Sequence, residues 1–467
     1  MTDHLDPHNT GIVPPPGCPA HNLGQDGIRR LYGQGEADPR ALHEELRREH
    51  GPVAPVLLHG DLPAWLVLGY DELKQVTNRP LQFTRDSSQW SMFQRGQVPA
   101  DSPLRPTLQP QPVCVFADGE EHARLRGAVT DSLEQFALRG IRRYTVRYAR
   151  QLIDEFAADG RADLISQFAE RLPMMVMTWL LGMPEANSPQ LVSAALDLMR
   201  LSETAMQSNA FLVETLRDLV RRRRDKPGHD LPSMLLAHHS ELTEDEVLQH
   251  LRLILVAANE TTVNLMANTL RMVLTDRRFR ASLSGGQMTL PDALDQVLWD
   301  APPMSVVPGR VAKERVMLGN YEIQQGDLLL LGLAAGNVDP AQRPDLAKPL
   351  HGNRAHLAFS SGPHECPGRD IGRSIAEGAI DTLLARLPDL HLAVDEGELV
   401  TRSSWLTQRQ EGLPVQFAPR QTEDTKTRLP LPPTAGTLVP VPAQSAPARV
   451  DEGARRPWWK RLMGTSS

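Results

Sequence analysis

Apolar residues recur along most of this chain at the spacing of an α-helix. The clearest helical pattern begins at Thr243, which with Glu246 has the spacing of a capping box. Apolar positions continue for roughly 30 residues, which corresponds to a helix of about 45 Å. The middle of this segment carries few charges, and Glu260 is therefore conspicuous there. The pattern predicts a helix that crosses a whole domain.

A second amphipathic helix is predicted directly after Cys366, with Pro367 as its first residue. One stripe of this helix is apolar: Ile371, Ile375, Ala379, Leu383 and Leu387. Strand patterns occur in two places, at residues 53–68 and at residues 316–333, where Gly319 and Asn320 indicate a hairpin turn. Helices with small sheets at their edges are therefore expected.

The two ends of the chain differ in composition from its centre. Residues 1–24 read as an irregular arm, and residues 25–419 carry the periodic patterning of one domain. Residues 420–467 are rich in proline and cannot form a core, so a disordered tail is predicted. The tail ends in a basic and aromatic cluster, residues 455–463, which suits weak docking on a membrane surface or a protein. The alternative is a disordered end without a partner.

Charge and composition narrow the function classes. A net charge of −7 argues against a protein that binds nucleic acid through a basic field. No apolar run is long enough to span a bilayer, and the N-terminus lacks the pattern of a signal peptide, so a cytoplasmic location is expected. The three cysteines, Cys18, Cys114 and Cys366, offer no disulfide framework and no zinc-ligand spacing.

The segment around Cys366 carries the strongest chemical signal. Phe359, Gly362, Cys366 and Gly368 fall in a short loop before the predicted helix. At a helix N-terminus, free N–H groups and the macrodipole stabilise a thiolate. The two glycines permit unusual backbone geometry and close approach to a flat ligand. The loop can therefore present one thiolate to one metal ion, and the alternative is a structural cysteine in a turn.

This segment resembles the haem-binding signature of the cytochromes P-450, Phe-x-x-Gly-x-x-x-Cys-x-Gly, at every fixed position. The resemblance implies a mainly α fold, in which a large helical domain with small β-sheets surrounds a buried haem b. It implies that Cys366 is the axial ligand of the haem iron. It further implies a monooxygenase that inserts one oxygen atom from dioxygen into a lipophilic small molecule. Electrons would come from a separate ferredoxin and ferredoxin reductase.

Haem propionates need cationic partners when they are buried. By resemblance, His122 and Arg126 contact the propionates, and Arg310 lies where the family has a propionate-binding arginine. His364, two residues before the cysteine, is a fourth candidate. The alternative for each is a solvated cation or one packed in the core.

Residues 257–262 resemble the oxygen-activation motif of the same family. Two protons must be delivered before the O–O bond of dioxygen breaks, and an alcohol beside an acid can organise water for that delivery. Thr261 would be the alcohol and Glu260 the acid. The alternative for Thr261 is an ordinary hydrogen bond back to a helix carbonyl.

One motif departs from the family pattern. The family's Glu-x-x-Arg pair is replaced by Gln296 and Trp299, and residues 337–354 offer no obvious arginine partner, Lys348 being the nearest cation. The loss looks concerted, since removal of one charge would leave the other stranded. This departure leaves a second hypothesis open, a haem sensor or signalling component without turnover. Arg369 and Arg373 either face an acidic ferredoxin or form a solvated helix face.

Overall fold

The computed structural model describes residues 28–200, 204–276, 288–346, 348, 350 and 352–421. The predicted arm, residues 1–24, and the basic and aromatic cluster at residues 455–463 lie outside the described residues. The predicted domain limits therefore stay predictions. Along the described residues, no helix combines the length and the apolar character needed to cross a membrane.

Helices dominate the described residues, as the apolar spacing predicts. In chain order they are α1 (Pro39–His50), α2 (Tyr70–Asn78), α3 (Ser91–Gln94), α4 (Arg105–Leu108), α5 (Gly119–Glu134), α6 (Leu138–Phe156), α7 (Leu172–Leu180), α8 (Ser188–Arg200), α9 (Ala205–Asp225), α10 (Leu231–Leu236), α11 (Glu244–Thr275), α12 (Leu290–Asp300), α13 (Leu333–Asn337) and α14 (Arg369–Arg386).

The strands form small sheets, also as predicted. They are β1 (Arg29–Arg30), β2 (Val53–Leu58), β3 (Leu62–Val67), β4 (Phe83–Thr84), β5 (Arg161–Asp163), β6 (Val307–Ala312), β7 (Val316–Leu318), β8 (Tyr321–Ile323), β9 (Leu328–Leu331), β10 (His391–Leu392), β11 (Thr401–Ser403), β12 (Gln408–Gln410) and β13 (Pro414–Gln416). The largest sheet has the order β1-β2-β3-β9-β6-β4. The predicted hairpin at Gly319 and Asn320 joins β7 to β8.

The long helix α11 organises the main core. Thr243 and Glu246 form the predicted capping box, and the helix runs for 32 residues. It packs against α7, α9, α12 and α14, and its apolar residues belong to the largest buried cluster of the described chain. The helix after Cys366, α14, lies against α6 and α11. The fold thus brings the two predicted motifs, on α11 and before α14, to neighbouring elements.

One boundary differs from the prediction. Helix α14 begins at Arg369, with Gly368 as its N-cap, so the prediction that Pro367 is the first helical residue is wrong by two residues. The reason is local, because the Cys366 N–H donates to the Phe359 carbonyl at 2.9 Å and holds this part of the chain in the loop.

A β-bulge in β6 sets the direction of Arg310. The register of β6 against β9 shifts between Pro308 and Arg310, and Gly309 there has a φ of +95°. A bulge of this kind re-aims the next side chain. Arg310 is consequently buried at 2% exposure rather than directed to solvent.

Candidate functional site

The loop that carries Cys366 folds back on itself through its own backbone. A 3-10 turn spans Gly362–His364, and the Glu365 N–H donates to the Gly362 carbonyl at 3.0 Å. Gly362 has a φ of +73°, and a Cβ there would lie 2.5 Å from the Thr77 carbonyl oxygen. Only glycine fits this position, which explains the first glycine of the motif. At Gly368 the added Cβ would meet the Cys366 Sγ at 4.0 Å, so this glycine leaves the space beside the sulfur open.

Cys366 is exposed as a residue, whereas its thiol sulfur lies among protein atoms. Burial raises the pKa of its thiol, while the N–H of Gly368 and the positive charge of Arg126 act to lower it. The N–H donor predicted from the helix start is thus present, but the burial outweighs it. Coordination to a metal deprotonates a thiol outright. A metal ion bound at this sulfur would hold it as the thiolate.

The four predicted propionate partners do converge. The imidazole rings of His122 and His364 lie 4.1 Å apart between centroids. Arg126, one turn after His122 on α5, donates to the Glu365 carbonyl beside Cys366. The positive charge of Arg310 acts on both histidines and lowers their pKa values, after the larger effect of burial. The pKa of His364 falls to about 4.

Two further residues belong to this cluster and were missed in the sequence. Arg85 is buried and donates to the carbonyls of Val115 and Pro308, at 2.7 and 2.8 Å. Asp118 lies 3.3 Å from the His364 Nε2 and accepts from the Arg85 N–H at 2.9 Å. Although burial alone would raise the pKa of Asp118, the hydrogen bonds from His364 and Thr84 bring it to about 2. No motif marks either residue, because they come from separate segments that meet only in the fold.

Among the described residues, Asp118 balances only part of the positive charge that Arg85, Arg126 and Arg310 bring to this cluster. Within the described ranges, the Arg310 guanidinium has no hydrogen bond or ion pair, and the His122 Nε2 has no partner. Burial lowers the pKa of Arg310 well below its ordinary value. Buried cations normally have a counterion. A flat ligand with two carboxylates beside the Cys366 loop would supply it, and haem b, with its two propionates, fits these residues.

Helix α11 carries the acid and the alcohol of the second motif. Glu260 is 8% exposed, and burial raises the pKa of its carboxyl group despite the nearby charges of Arg409 and Arg402. The Thr261 hydroxyl donates to the Ala257 carbonyl at 2.8 Å. This is the ordinary hydrogen bond to a helix carbonyl that was the alternative for this residue. That bond still leaves the lone pairs of the hydroxyl oxygen free to accept. Gly372 of α14 lies against Thr262, so this part of α11 borders the cysteine helix.

The replaced Glu-x-x-Arg motif has become a different network. The Gln296 amide donates to Asp300 at 2.7 Å and accepts from the Leu350 N–H at 3.1 Å. The Trp299 indole N–H donates to the Asn353 carbonyl at 2.8 Å. Both neutral side chains thus bind the segment that follows α13, where the family uses charges.

Arginines also serve this network, contrary to the prediction that residues 337–354 offer none. Arg343 is buried, pairs with Asp300 at 2.6 Å and lies 5.9 Å from the Trp299 ring centroid. Lys348, the predicted nearest cation, is exposed. The motif did not indicate Arg343 because its partner is Asp300, which lies one residue after Trp299, outside the replaced Glu-x-x-Arg pair.

A second ion pair connects α12 to the cysteine helix. Asp295, whose side chain is 2% exposed, pairs with Arg373 and, at 3.5 Å, with the exposed Arg354. Arg373 is only 11% exposed, so it neither faces a ferredoxin nor lies on a solvated surface. Arg369 is half-exposed and pairs with Glu365.

Comparison with known proteins places this geometry among haem enzymes. No protein-family model matches the chain. The chain is 30% identical to the 6-deoxyerythronolide B hydroxylase of Saccharopolyspora erythraea, over 79% of this chain and 94% of that protein. It is 30% identical to the vitamin D(3) 25-hydroxylase of Pseudonocardia autotrophica, over 82% and 94% respectively. The structure of CYP154A1 from Streptomyces coelicolor A3(2) matches with a TM-score of 0.75 and 28% identity, over 84% of this chain and all of that one.

Proposed function

Because the chain belongs to the cytochrome P-450 family, we propose that Cys366 is the axial thiolate ligand of its haem iron and that Phe359, Gly362 and Gly368 shape the loop around it. The protein is a haem-thiolate monooxygenase with haem b as its cofactor, and it inserts one oxygen atom into a lipophilic small molecule. The observation that supports the residue assignment is the cysteine loop beside a cluster of cations whose charge Asp118 balances only in part.

In this proposal the cation cluster binds the propionates. Arg126 and Arg310 supply positive charge, and His122 and His364 supply ring N–H donors. Asp118 and Arg85 hold the cluster in place from behind. When bound, haem b supplies the iron centre at which dioxygen is activated.

Glu260 and Thr261 serve the proton supply in this proposal. The raised pKa of Glu260 favours a carboxyl group that holds a proton at a buried position. Thr261, the next residue, offers a hydroxyl group that accepts a hydrogen bond from water while it donates to the Ala257 carbonyl. Thr261 can hold a water molecule in place by accepting a hydrogen bond from it, and Glu260 can replace the proton that this water gives up.

The ligand assignment is tested by the spectrum of the reduced, CO-bound protein. The wild type is expected to show the red-shifted Soret band of thiolate ligation, and Cys366→Ala is expected to lose it. Cys114→Ala is the matched control, because Cys114 is buried near the cation cluster, where the charges of Arg126 and Arg85 act on it, but it lies outside the Cys366 loop. The assignment is wrong if Cys366→Ala keeps the thiolate band, or if Cys114→Ala also removes it.

The alternative of a sensor without turnover is not favoured, since the relatives are named hydroxylases. Bacterial members take electrons from redox proteins, and we propose a ferredoxin and a ferredoxin reductase as the partners here. Two relatives are named for vitamin D(3) and 6-deoxyerythronolide B, and we propose a lipophilic ring compound as the substrate class. A panel of such compounds, read by the haem spin-state shift and then by product formation with surrogate redox proteins, tests both. If compounds of the panel shift the spin state but none of them yields a product, turnover is contradicted.

The last two proposals concern where the protein is found and what its C-terminal tail binds. We propose a cytoplasmic protein whose residues 455–463 dock weakly on a membrane surface or a protein. Deletion of residues 421–467 is expected to reduce co-sedimentation with anionic vesicles or the binding of the ferredoxin. Unchanged binding in both assays would contradict the docking role.

A further inference from the structure

A polar cavity of about 280 Å³ lies beneath α1. Its walls come from α1, the second half of α11, the end of α12, the start of α13 and the β11–β12 hairpin. None of the residues proposed to bind haem lines it. The cavity therefore needs an explanation of its own.

His43 of α1 faces this cavity and is buried at 5% exposure. Within the described part of the chain, its ring has no hydrogen-bond partner, and its nitrogens are not fully enclosed by protein. Burial, with a smaller effect from Arg47, lowers the pKa of His43 to about 4, so the ring is neutral near pH 7. The ring is therefore available to a group inside the cavity.

Four arginines but only two acids line the cavity. Both acids that line it already have partners: Glu44 pairs with Arg40 at 3.3 Å, and Asp300 pairs with Arg343 at 2.6 Å. Arg409 is also paired, with the buried Glu170 at 2.7 Å. Within each of these three pairs, the positive charge neutralises the negative charge.

Arg47 and Arg271 are the cations of the lining that no close ion pair neutralises, although the carboxylates of Asp339 and Glu44 act on Arg47 from a longer distance. Arg47 donates only to the carbonyls of Ala335 and Leu68, at 2.6 and 3.1 Å, and its Nε has no partner among the described residues. The nearest carboxylate to Arg271 is Glu396, at 4.0 Å, and Glu396 is mostly exposed. Screening by water weakens such a long pair.

We propose that this cavity binds a small organic anion, whose carboxylate or phosphate group contacts His43, Arg47 and Arg271. The oxyanion supplies the close counter-ion that the two arginines lack, and it accepts a hydrogen bond from the imidazole. The cavity is several times larger than one water molecule, which takes about 30 Å³ of liquid. Apolar walls from Pro302, Ala334 and Val338 contact the rest of the ligand.

The first test measures the melting temperature of the holoprotein with sulfate, inorganic phosphate and succinate, with sodium chloride at matched ionic strength. Each anion that binds is expected to raise Tm by roughly 3 °C at 100 times its Kd. A larger response to phosphate than to succinate identifies a phosphate ligand, and the reverse order identifies a carboxylate ligand. Equal responses to all three anions and to chloride would contradict the site.

Variants locate the binding. Arg271→Met is expected to weaken the binding of the best anion at least tenfold, whereas Arg48→Met, an exposed arginine on α1, is expected to leave it unchanged. His43→Gln is expected to weaken it as well, and His391→Gln, an exposed histidine, serves as its control. The proposal fails if the controls lose as much affinity as the cavity variants.

Proton uptake gives a readout that fold stability does not affect. An anion beside His43 raises the pKa of the ring, so sulfate, which does not titrate near pH 6, should bind with uptake of part of a proton. Calorimetry in two buffers of different ionisation enthalpy measures this uptake. His43→Gln is expected to abolish it, and uptake that persists in this variant would overturn the role of His43.

Discussion

The ion pair between Asp295 and Arg373 links α12 to the helix that follows the cysteine, and Asp295→Asn removes its negative charge. Asp295 is 2% exposed and Arg373 11% exposed, so solvent does not replace the lost partner. Loss of one member of a buried pair typically costs about 3–5 kcal/mol, because the other charge stays buried without compensation. That is a large fraction of the roughly 5–15 kcal/mol that stabilise a domain.

Arg354 provides a matched control on the same carboxylate. It approaches the other oxygen of Asp295 at 3.5 Å, but its side chain is 68% exposed. An exposed pair contributes about 0–1 kcal/mol, so Arg354→Gln is expected to have little effect. The difference between the two variants measures the effect of burial on the stability of an ion pair, since both variants change a pair of the same carboxylate.

The assay is urea unfolding of the holoprotein, followed by far-UV circular dichroism and by the Soret band. Asp295→Asn is expected to lower the midpoint and to release haem earlier, because α14 starts three residues after Cys366. The double variant with Arg373→Gln should cost clearly less than the sum of the single variants, with a coupling of about 2–3 kcal/mol. Equal, small effects of Asp295→Asn and Arg354→Gln would refute the reasoning.

Three other changes follow from buried polar groups. Glu260→Gln removes the titrating proton and is expected to lower the product formed per dioxygen consumed by about 100-fold. Glu260→Asp should retain part of that yield. An equal yield per dioxygen in the wild type and the Gln variant would contradict this role. His356 is buried and its pKa is lowered to about 4, below the 6.5 of the unfolded chain, so the unfolded state takes up the proton first. The protein should therefore lose up to about 3 kcal/mol of stability from this group as pH falls from about 6.5 to 4, and His356→Phe should flatten that part of the pH profile in urea unfolding. Gln296→Glu places a carboxylate at the 2.7 Å contact with Asp300, so it should destabilise by about 2 kcal/mol at pH 7 and less at pH 5, whereas the loss in Gln296→Ala should not depend on pH.

Much of the fold could be predicted because it follows from local periodicity. The cap at Thr243, the long helix behind it and the hairpin at Gly319 each depend on residues close together in the chain. The cysteine loop could be predicted for the same reason. Gly362 is required by a carbonyl from Thr77, a distant contact, but the short motif already records that requirement.

The groups that were missed depend on contacts between distant segments. Arg85 and Asp118 join the cation cluster from two different elements, and no spacing in the sequence links them to His364. His43 belongs to no motif in the sequence, yet it is buried where α1 borders a cavity. Periodicity indicates which face of a helix is apolar, but it cannot indicate that a polar face is covered by other elements.

The altered Glu-x-x-Arg motif shows how a buried ion network can be relocated without loss of its connections. Asp295 lies one residue before Gln296, and Asp300 one residue after Trp299, and each step turns the side chain by about 100° around the helix. One acid therefore reaches Arg373 on the cysteine helix, and the other reaches Arg343 in the segment after α13. The positions between them bind carbonyl and N–H groups of the same segment through neutral side chains. Because a lone buried charge is costly whereas a paired one is tolerated, this arrangement keeps α12 connected on both sides of the cysteine loop. Absence of the motif therefore does not by itself favour a haem sensor over a monooxygenase, since ion pairs and hydrogen bonds still connect α12 to the cysteine helix and to the segment after α13.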